Sequence, residues 1–593
     1  MISSTYQLVA TPDALRAAIN ELQQHQALGF DTETTSLDPY DGRLRLVQLA
    51  APDGRVFVFD LDRFADGDAK RSDALAPLRA LLAAPRPVKV AHNAKFDAKW
   101  SKHTFGVELG QLFDTLLASQ LVSAGEPDDR HGLEVVTARY LDETLVKTER
   151  LSDWSGELSP AQLEYAARDA AVLLPLRERL IERLKRDALI RVAQLEFDCV
   201  LPVAELELAG IYLDQDCWRK LMSTEKKKRD QLYEQLQDAL AVESQQGSLF
   251  GPPARADINL DSHVQLKKAL ERLGVQNVPD STRNWKLEPL AKDYPIISQL
   301  LQYRTLQKAL KFGETLLNAV GRDGRIRANF HQIGAPTGRM ACTDPNVQQI
   351  PHDEAYRRCF RAPAGRKLVV ADYSQIELRI LAHVSEDQGF IAAFNSGADL
   401  HRVTAAQVFN VALEQVTKEQ RDFAKRLNFG VVYGIGAQRF SLMTGLPLAE
   451  AESIMSRYFQ TYRGLDVWLR DAAQRAVRDR AARTLSGRLA RFNFDPADRQ
   501  AVSLAQRNGK NMPIQGASAD IIKRALRLLH DELKATSAHI VNVVHDEIVV
   551  ETDADQAAEI MKKVEAAMCA AGEEYVTRVP VKVEAQVADE WVK

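Results

Sequence analysis

VVADYSQIELRI at residues 369–380 and VNVVHDEIVVET at 541–552 decide how this chain folds, because each is a β-branched run that meets a carboxylate. Unbroken Val, Ile and Leu read as buried strand. Asp372 and Asp546 fall at the ends of those runs. A buried aspartate is costly unless paired, and two such charges about 4 Å apart repel by roughly 4 kcal/mol at an effective dielectric near 20. Divalent metal reverses that sign. A pair of magnesium ions about 3.5 to 4 Å apart supports in-line phosphoryl transfer with no protein nucleophile. Singly, a strand ending in aspartate is an ordinary feature of α/β proteins, so the residues around the pair matter.

The first 185 residues hold a second set of acids. ALGFDTETTSL (27–37) puts Asp31 and Glu33 two apart on a strand, on one face. HNAKFD (92–97) offers Asn93 and Asp97 at helical spacing, and LEYAARDA (163–170) places Tyr165 and Asp169 one turn apart. Four carboxylates can then converge. Asn93 reads as a helix cap rather than a catalytic group. Tyr165 alone reads as a half-buried helix tyrosine, and its spacing to Asp169 is what singles it out.

RDFAKRLNFGVVYG (421–434) repeats Arg421, Lys425, Phe429 and Tyr433 every fourth residue. Two cations one turn apart on a helix repel by a few tenths of a kcal/mol, so their sharing a face fits a polyanion docking there. LAQRNGKNMPIQGASADIIKRAL (504–526) carries Arg507, Asn511 and Gln515 as a polar stripe on a helix that Pro513 is expected to kink. Such amide and guanidinium groups suit the minor-groove acceptors common to all base pairs; a plain surface polar face is the alternative.

The composition excludes little. The chain has 593 residues, 45% hydrophobic and 27% charged, enough for three or more domains. A net charge of -4 speaks against a uniformly basic nucleic-acid binder, yet residues 301–370 hold twelve Lys/Arg against five Asp/Glu. The KKKR run at 226–229 reads first as a solvated helix face and second as a phosphate grip. Five scattered cysteines without a CxxC pair indicate neither zinc nor a disulfide framework and fit a reducing compartment. MISSTYQLVATPDALRAAINEL opens as a short strand and an amphipathic helix, with no apolar signal core and no run of membrane-spanning length. Residues 190–320 are rich in heptad-like helix, interrupted by SQQGSLFGPPARADINLDS at 244–262.

GRMACTDPNVQQIP (338–351), DYSQIELR (372–379), RDFAKRLNFGVVYG and VHDE (544–547) occur in that order, and together they resemble an A-family DNA polymerase from about Ile190 to the C-terminus. The earlier order D-T-E, N-x-x-F-D, Y-x-x-x-D resembles the tyrosine-containing, four-carboxylate class of 3′-5′ proofreading exonucleases. The resemblance implies an α/β multidomain chain. An RNase H-like exonuclease (1–187) would be followed by a right-hand polymerase: helical thumb (188–323), first part of the palm (324–383), fingers (384–500) and second part of the palm (501–593). No 5′ nuclease domain is expected in this chain.

It also implies roles. Asp31, Glu33, Asp97 and Asp169 would hold two metals, and Tyr165 would orient the attacking water. Asp372, Asp546 and the backbone carbonyl of Tyr373 would hold two Mg²⁺ per site, with Mn²⁺ as a substitute, supported by Glu547. Arg421, Lys425, Phe429, Tyr433, His401 and Gln375 would contact the nucleotide, with Lys425 protonating the leaving pyrophosphate. His401 without its flanking match, ADLHRVTA, would read as a solvent-facing helix histidine. Glu377 would be the steric gate against a ribose 2′-hydroxyl. Arg339, Arg507, Asn511, Gln515 and His545 would contact DNA. The expected partners are primer-template DNA, dNTPs and a single-stranded 3′ end; the expected protein is a monomer without a thioredoxin-binding insertion or membrane contact. Its place would be a bacterial or phage-infected cytoplasm, with an organelle as the alternative. The rival readings are an RNase D-type nuclease and a non-enzymatic clamp.

Overall fold

The computed structural model describes residues 5–64, 69–70, 72–126, 130–145, 149, 152–243 and 255–592. Two compact units divide the chain: Met1–Gly210 with Ala328–Gln348 and Ala362–Asp589, and Ile211–Arg327 with Gln349–Arg361 and Glu590–Lys593.

In the larger unit, the first 114 residues build a mixed six-stranded sheet. Its strands are β1 (Thr5–Val9), β2 (Ala27–Thr34), β3 (Leu44–Ala50), β4 (Arg55–Asp60), β5 (Val88–Ala91) and β6 (Leu112–Asp114), in the order β1-β4-β3-β2-β5-β6. β4, β3 and β2 run antiparallel, whereas β1 and the pair β5–β6 join in parallel. This is the RNase H-like arrangement expected from the motifs. The amphipathic opening helix forms as read: Pro12–Leu22 starts at Thr11, whose side chain accepts from the Ala14 N–H at 3.3 Å. Leu15, Ile19 and Leu22 bury its inner face.

The second sheet has four antiparallel strands in the order His539–Val544, Glu547–Asp553, Arg366–Tyr373, Val583–Ala588. Leu368, Val369, Val370 and Ala371 are buried in a central strand, which is why the run is continuously apolar. Helices Arg499–Leu533 and Ala557–Glu573 pack on one another beside it, and the first is continuous through Pro513. Leu400–Phe409, Lys418–Val432, Leu448–Thr461 and Arg463–Asp479 form a helical lobe around buried Phe390, Tyr458 and Tyr462.

Helices Ile190–Asp198 and Val200–Ala209 belong to the larger unit, although their heptad-like spacing had grouped them with the thumb. Val192, Ala193, Phe197, Val200 and Ala204 join the apolar core of the exonuclease sheet, so these helices are buried beside that sheet.

The smaller unit is built on two long helices, Gln215–Leu240 and Pro295–Asn318, closed over Leu236, Leu240, Leu266, Leu270, Ile297 and Leu300. Trp218, Phe360 and Trp591 stack edge to face at 5.8 and 5.7 Å. Cys217 and Cys359 face each other there at 2.8 Å between sulfurs. Residues 244–254, most of the interruption noted in the sequence, lie outside the described residues. Among the described residues no helix is long and apolar enough to cross a membrane.

Candidate active sites

Asp31 and Glu33 share one face of β2, and helix Pro160–Ala171 crosses that strand so closely that a Cβ on Gly29 would lie 2.3 Å from the Ala170 carbonyl oxygen. The absent side chain at Gly29 lets the helix seat. Tyr165 and Asp169 therefore meet Asp31 and Glu33: the Tyr165 hydroxyl is pushed well above its ordinary value by burial, and further by Asp169, Glu33 and Asp31. Asp97, on helix Ala94–Phe105, accepts from the Thr32 hydroxyl at 2.6 Å. Burial raises its carboxyl strongly, and the charge of Asp31 adds to the shift. All five residues singled out in the sequence thus converge. Asp31 and Asp169 line a cleft of about 530 Å³ that also takes in His92, Asn93, Lys95, His131 and His331.

Four carboxylates whose charges oppose one another in a buried site suit divalent cations, since oxygen donors are what magnesium and manganese prefer and the cation relieves the repulsion. The donor set fits the metals that the resemblance implies.

The second centre is built by strand register. Asp372, next to last in Arg366–Tyr373, stands opposite Glu547. His545 and Asp546 form the two-residue turn between the hairpin strands, with Val544 paired to Glu547 and His545 at φ 56°. The Tyr373 N–H donates to the Asp546 carbonyl at 3.2 Å, which brings the two aspartate-bearing segments side by side. The Tyr373 hydroxyl turns away and donates to Met568 O at 2.6 Å. Only its main chain is left to face the aspartates. Two aspartates and a carbonyl are again oxygen donors suited to magnesium.

Beyond Tyr373 the chain turns at Gln375, φ 57°, into helix Ile376–Ser385. This puts Glu377 in the first turn, where it is buried and ion-paired to Arg339. The Tyr433 hydroxyl lies close enough to both to interact with them electrostatically. Burial raises the Glu377 carboxyl against the pull of Arg339 and Tyr433; the Tyr433 hydroxyl is pushed up to about 12 by burial and then by Glu377.

Helix Lys418–Val432 starts in a capping box of Thr417 and Gln420 and ends at Tyr433. Lys425 is exposed and Phe429 half-buried on it. Arg421 is ion-paired to Asp399 at 2.6 Å. His401 is not solvent-facing: it lies under the helix, its Nδ1 3.0 Å from Asn428 Nδ2 and its ring 5.8 Å from that of Phe429. Burial lowers its pKa to about 4. Arg507, Asn511 and Gln515 occupy successive turns of Arg499–Leu533, exposed at Arg507 and half-buried at the other two.

Residues 226–593 match the model of DNA polymerase family A, and residues 6–185 match that of a 3′-5′ exonuclease. The chain belongs to DNA polymerase family A. DNA polymerase I of Aquifex aeolicus is 32% identical over 624 residues, covering 99% of this chain and 100% of that one. DNA polymerase I of Pseudomonas aeruginosa is 32% identical over 617 residues, and the chain spans 66% of its length. A solved structure described as the POL domain of Pol1 from M. smegmatis in complex with DNA primer-template and dNTP aligns with a TM-score of 0.85 at 28% identity, covering 99% of each chain. This protein is an A-family DNA polymerase with an amino-terminal 3′-5′ exonuclease domain.

Three residues of the polymerase escaped the sequence reading. Asp114 accepts from the N–H groups of Asn93, Ala94, Leu116 and Leu117 at 2.8 to 3.3 Å, and burial pushes its carboxyl up to about 6. It, rather than the side chain of Asn93, holds the start of the helix that carries Asp97. Lys95 reaches Glu207, Asn329 Oδ1 and Phe330 O at 2.5 to 2.8 Å, fixing the same helix to the wall of the cleft. Asp399 caps helix Leu400–Phe409 and holds Arg421. An aspartate directly ahead of the helix, Asp399 before Leu400, was the available signal for the cap, and nothing local announces its pairing with Arg421.

Proposed function

We propose that the polymerase adds dNTPs to a primer 3′ end on a DNA template and removes mispaired 3′ nucleotides at a separate site, in replication or repair. The observation that carries this is the doubling of acidic centres: Asp372 and Asp546 on one sheet, and Asp31, Glu33, Asp97 and Asp169 around another. Asp372, Asp546 and the Tyr373 carbonyl would hold two Mg²⁺, with Mn²⁺ as substitute, and Glu547 would support them. When bound, such ions lower the pKa of an attacking oxygen and neutralise charge on the phosphates.

The protein's own residues do the rest. Arg421 and Lys425 face the triphosphate, and Lys425 hands a proton to the departing pyrophosphate. Phe429, Tyr433, Gln375 and His401 shape the nucleotide site, and Glu377 closes the space a ribose 2′-hydroxyl would need. Arg339, Arg507, Asn511, Gln515 and His545 contact the primer-template. In the exonuclease cleft, Tyr165 orients the attacking water beside a single-stranded 3′ end. We place the protein in a bacterial or phage-infected cytoplasm, acting as a monomer.

Extension of a labelled primer with magnesium and dNTPs, run beside a lane lacking dNTPs, tests both halves. Extension in the first and shortening in the second is expected. Shortening in both would leave a nuclease alone, and no magnesium-dependent change would leave a DNA clamp.

A further inference from the structure

Beneath the loop that carries Arg339 lie four charged side chains with almost no exposure: Glu196, Arg488, Asp520 and Lys523. Arg488 donates to Asp520 Oδ1 from Nε at 2.9 Å and from Nη2 at 2.7 Å, and both Arg488 and Lys523 are ion-paired to Glu196. Two positive and two negative groups cancel. A neutral buried set of this kind is weak ground for a gain in stability, because well-packed apolar residues serve as well. Its geometry is the more telling feature.

The set grips one backbone unit. Lys523 Nζ donates to the Gly338 carbonyl at 2.8 Å. Gly338 has φ 82°, and a Cβ there would lie 2.5 Å from Arg488 Nε. On the same helix as Lys523, a Cβ on Gly516 would come within 3.0 Å of the Thr337 carbonyl oxygen. Residues 337 and 338 are therefore clamped from three directions. The next residue is Arg339, whose guanidinium pairs with Glu377. An arginine with many rotamers holds a carboxylate in one place only if its own backbone is fixed.

We propose that Lys523 and Arg488 are positioning residues for sugar selection: by fixing Gly338 they set Arg339, and Arg339 holds Glu377 where the nucleotide sugar must pass. This rests on the reading of Glu377 as the gate. Neither residue touches substrate, so at saturating primer-template, where any loss of the DNA contact of Arg339 is masked, their effect should appear in the choice between nucleotides and not in the chemical step.

The test is incorporation of a single dCTP or rCTP by Gly338→Ala, Lys523→Met, Lys523→Arg and Glu377→Ala variants, with hydrolysis of a single strand by the exonuclease as the check that each is folded. Gly338→Ala and Lys523→Met should lower the dCTP/rCTP ratio of kcat/KM by about tenfold, chiefly through KM for rCTP, with kcat for dCTP near wild type. Lys523→Arg, which keeps the charge and a donor, should restore most of the ratio. Gly338→Ala added to Glu377→Ala should cost nothing further, because both act on one contact. Should Lys523→Met fail to fold, Gly338→Ala carries the test alone. A wild-type ratio in Gly338→Ala beside a lowered ratio in Glu377→Ala would overturn the inference. So would an equal fall in kcat for both nucleotides. A wild-type ratio in Glu377→Ala would instead remove the gate reading on which it rests.

Discussion

His530 Nδ1 lies 3.0 Å from Glu205 Oε2, and the other ring nitrogen lies 3.5 Å from Glu108 Oε2. The imidazole is almost fully buried, and Lys102 binds the far oxygens of both glutamates at 3.0 Å, while Lys534 reaches Glu108 at 3.3 Å and Asp531 at 2.9 Å. A neutral imidazole has one N–H for two carboxylates, so the arrangement calls for the charged form. Burial opposes that charge, and Glu108 and Glu205 outweigh it, leaving the pKa above the ordinary 6.5. A raised folded value contributes stability that is complete below the unfolded pKa and is lost as pH rises through the folded one. His530→Gln should therefore cost roughly 2 kcal/mol at pH 6 and much less at pH 9. Urea titrations of both proteins at the two pH values check this; a difference independent of pH would show that the histidine is held neutral.

Gly29→Ala should separate the two activities. The added methyl would strike the Ala170 carbonyl, a backbone atom with no easy retreat, and push helix Pro160–Ala171 off β2. Overpacking of this kind costs about 1 to 3 kcal/mol. The larger effect is on the site, because Tyr165 and Asp169 ride on the displaced helix while Asp31 and Glu33 stay on the strand. Shortening of a labelled single strand should fall by about a hundredfold, as expected for catalytic groups misplaced by an ångström, with primer extension near wild type. Equal loss of both would mean that the strain spreads beyond the exonuclease sheet.

Much of this was legible from local patterns and some was not, for a physical reason. A β-branched run ending in aspartate, or two acids two apart on a strand, carries its geometry within a few residues. Strand period puts Asp31 and Glu33 on one face and helix period does the same for Tyr165 and Asp169; that these faces and Asp97 form one site was implied only by the resemblance to proofreading exonucleases. Partners far apart in sequence left no such trace. Nothing near Glu377 announces Arg339, 38 residues away, and nothing near Glu196 announces Lys523. Helices Ile190–Asp198 and Val200–Ala209 show heptad-like spacing because they are apolar on several sides, and periodicity alone does not say which core receives them. His401 was read as solvent-facing apart from its family match because one polar residue on a helix does not reveal the helix above it.

The two acidic centres should fail independently. Asp372→Ala is expected to abolish extension while single strands are still shortened, and Asp31→Ala the reverse. Each removes an oxygen donor from one centre only. Parallel gels with and without dNTPs read both activities at once. Persistent degradation of single strands by a double Asp31→Ala, Glu33→Ala variant would sink the exonuclease assignment.

Asp399 sets the last expectation, because it holds the cation proposed to meet the nucleotide's phosphates. Its carboxylate caps helix Leu400–Phe409 through the N–H groups of His401 and Arg402 at 2.9 and 3.3 Å, and also holds Arg421 at 2.6 Å. Asparagine caps a helix as well as aspartate does, so Asp399→Asn keeps the helix and removes only the charge. The pair is partly exposed, and such pairs are worth up to about 1 kcal/mol. On the proposed docking of the triphosphate at Arg421, releasing that arginine and removing one negative charge should lower KM for dNTP by up to about fivefold at low salt, and the gain should shrink as salt screens the site. Single-nucleotide incorporation at two ionic strengths measures it. A rise in KM would mean that Asp399 aims Arg421 at the phosphates, and that its orienting contact outweighs the charge it contributes.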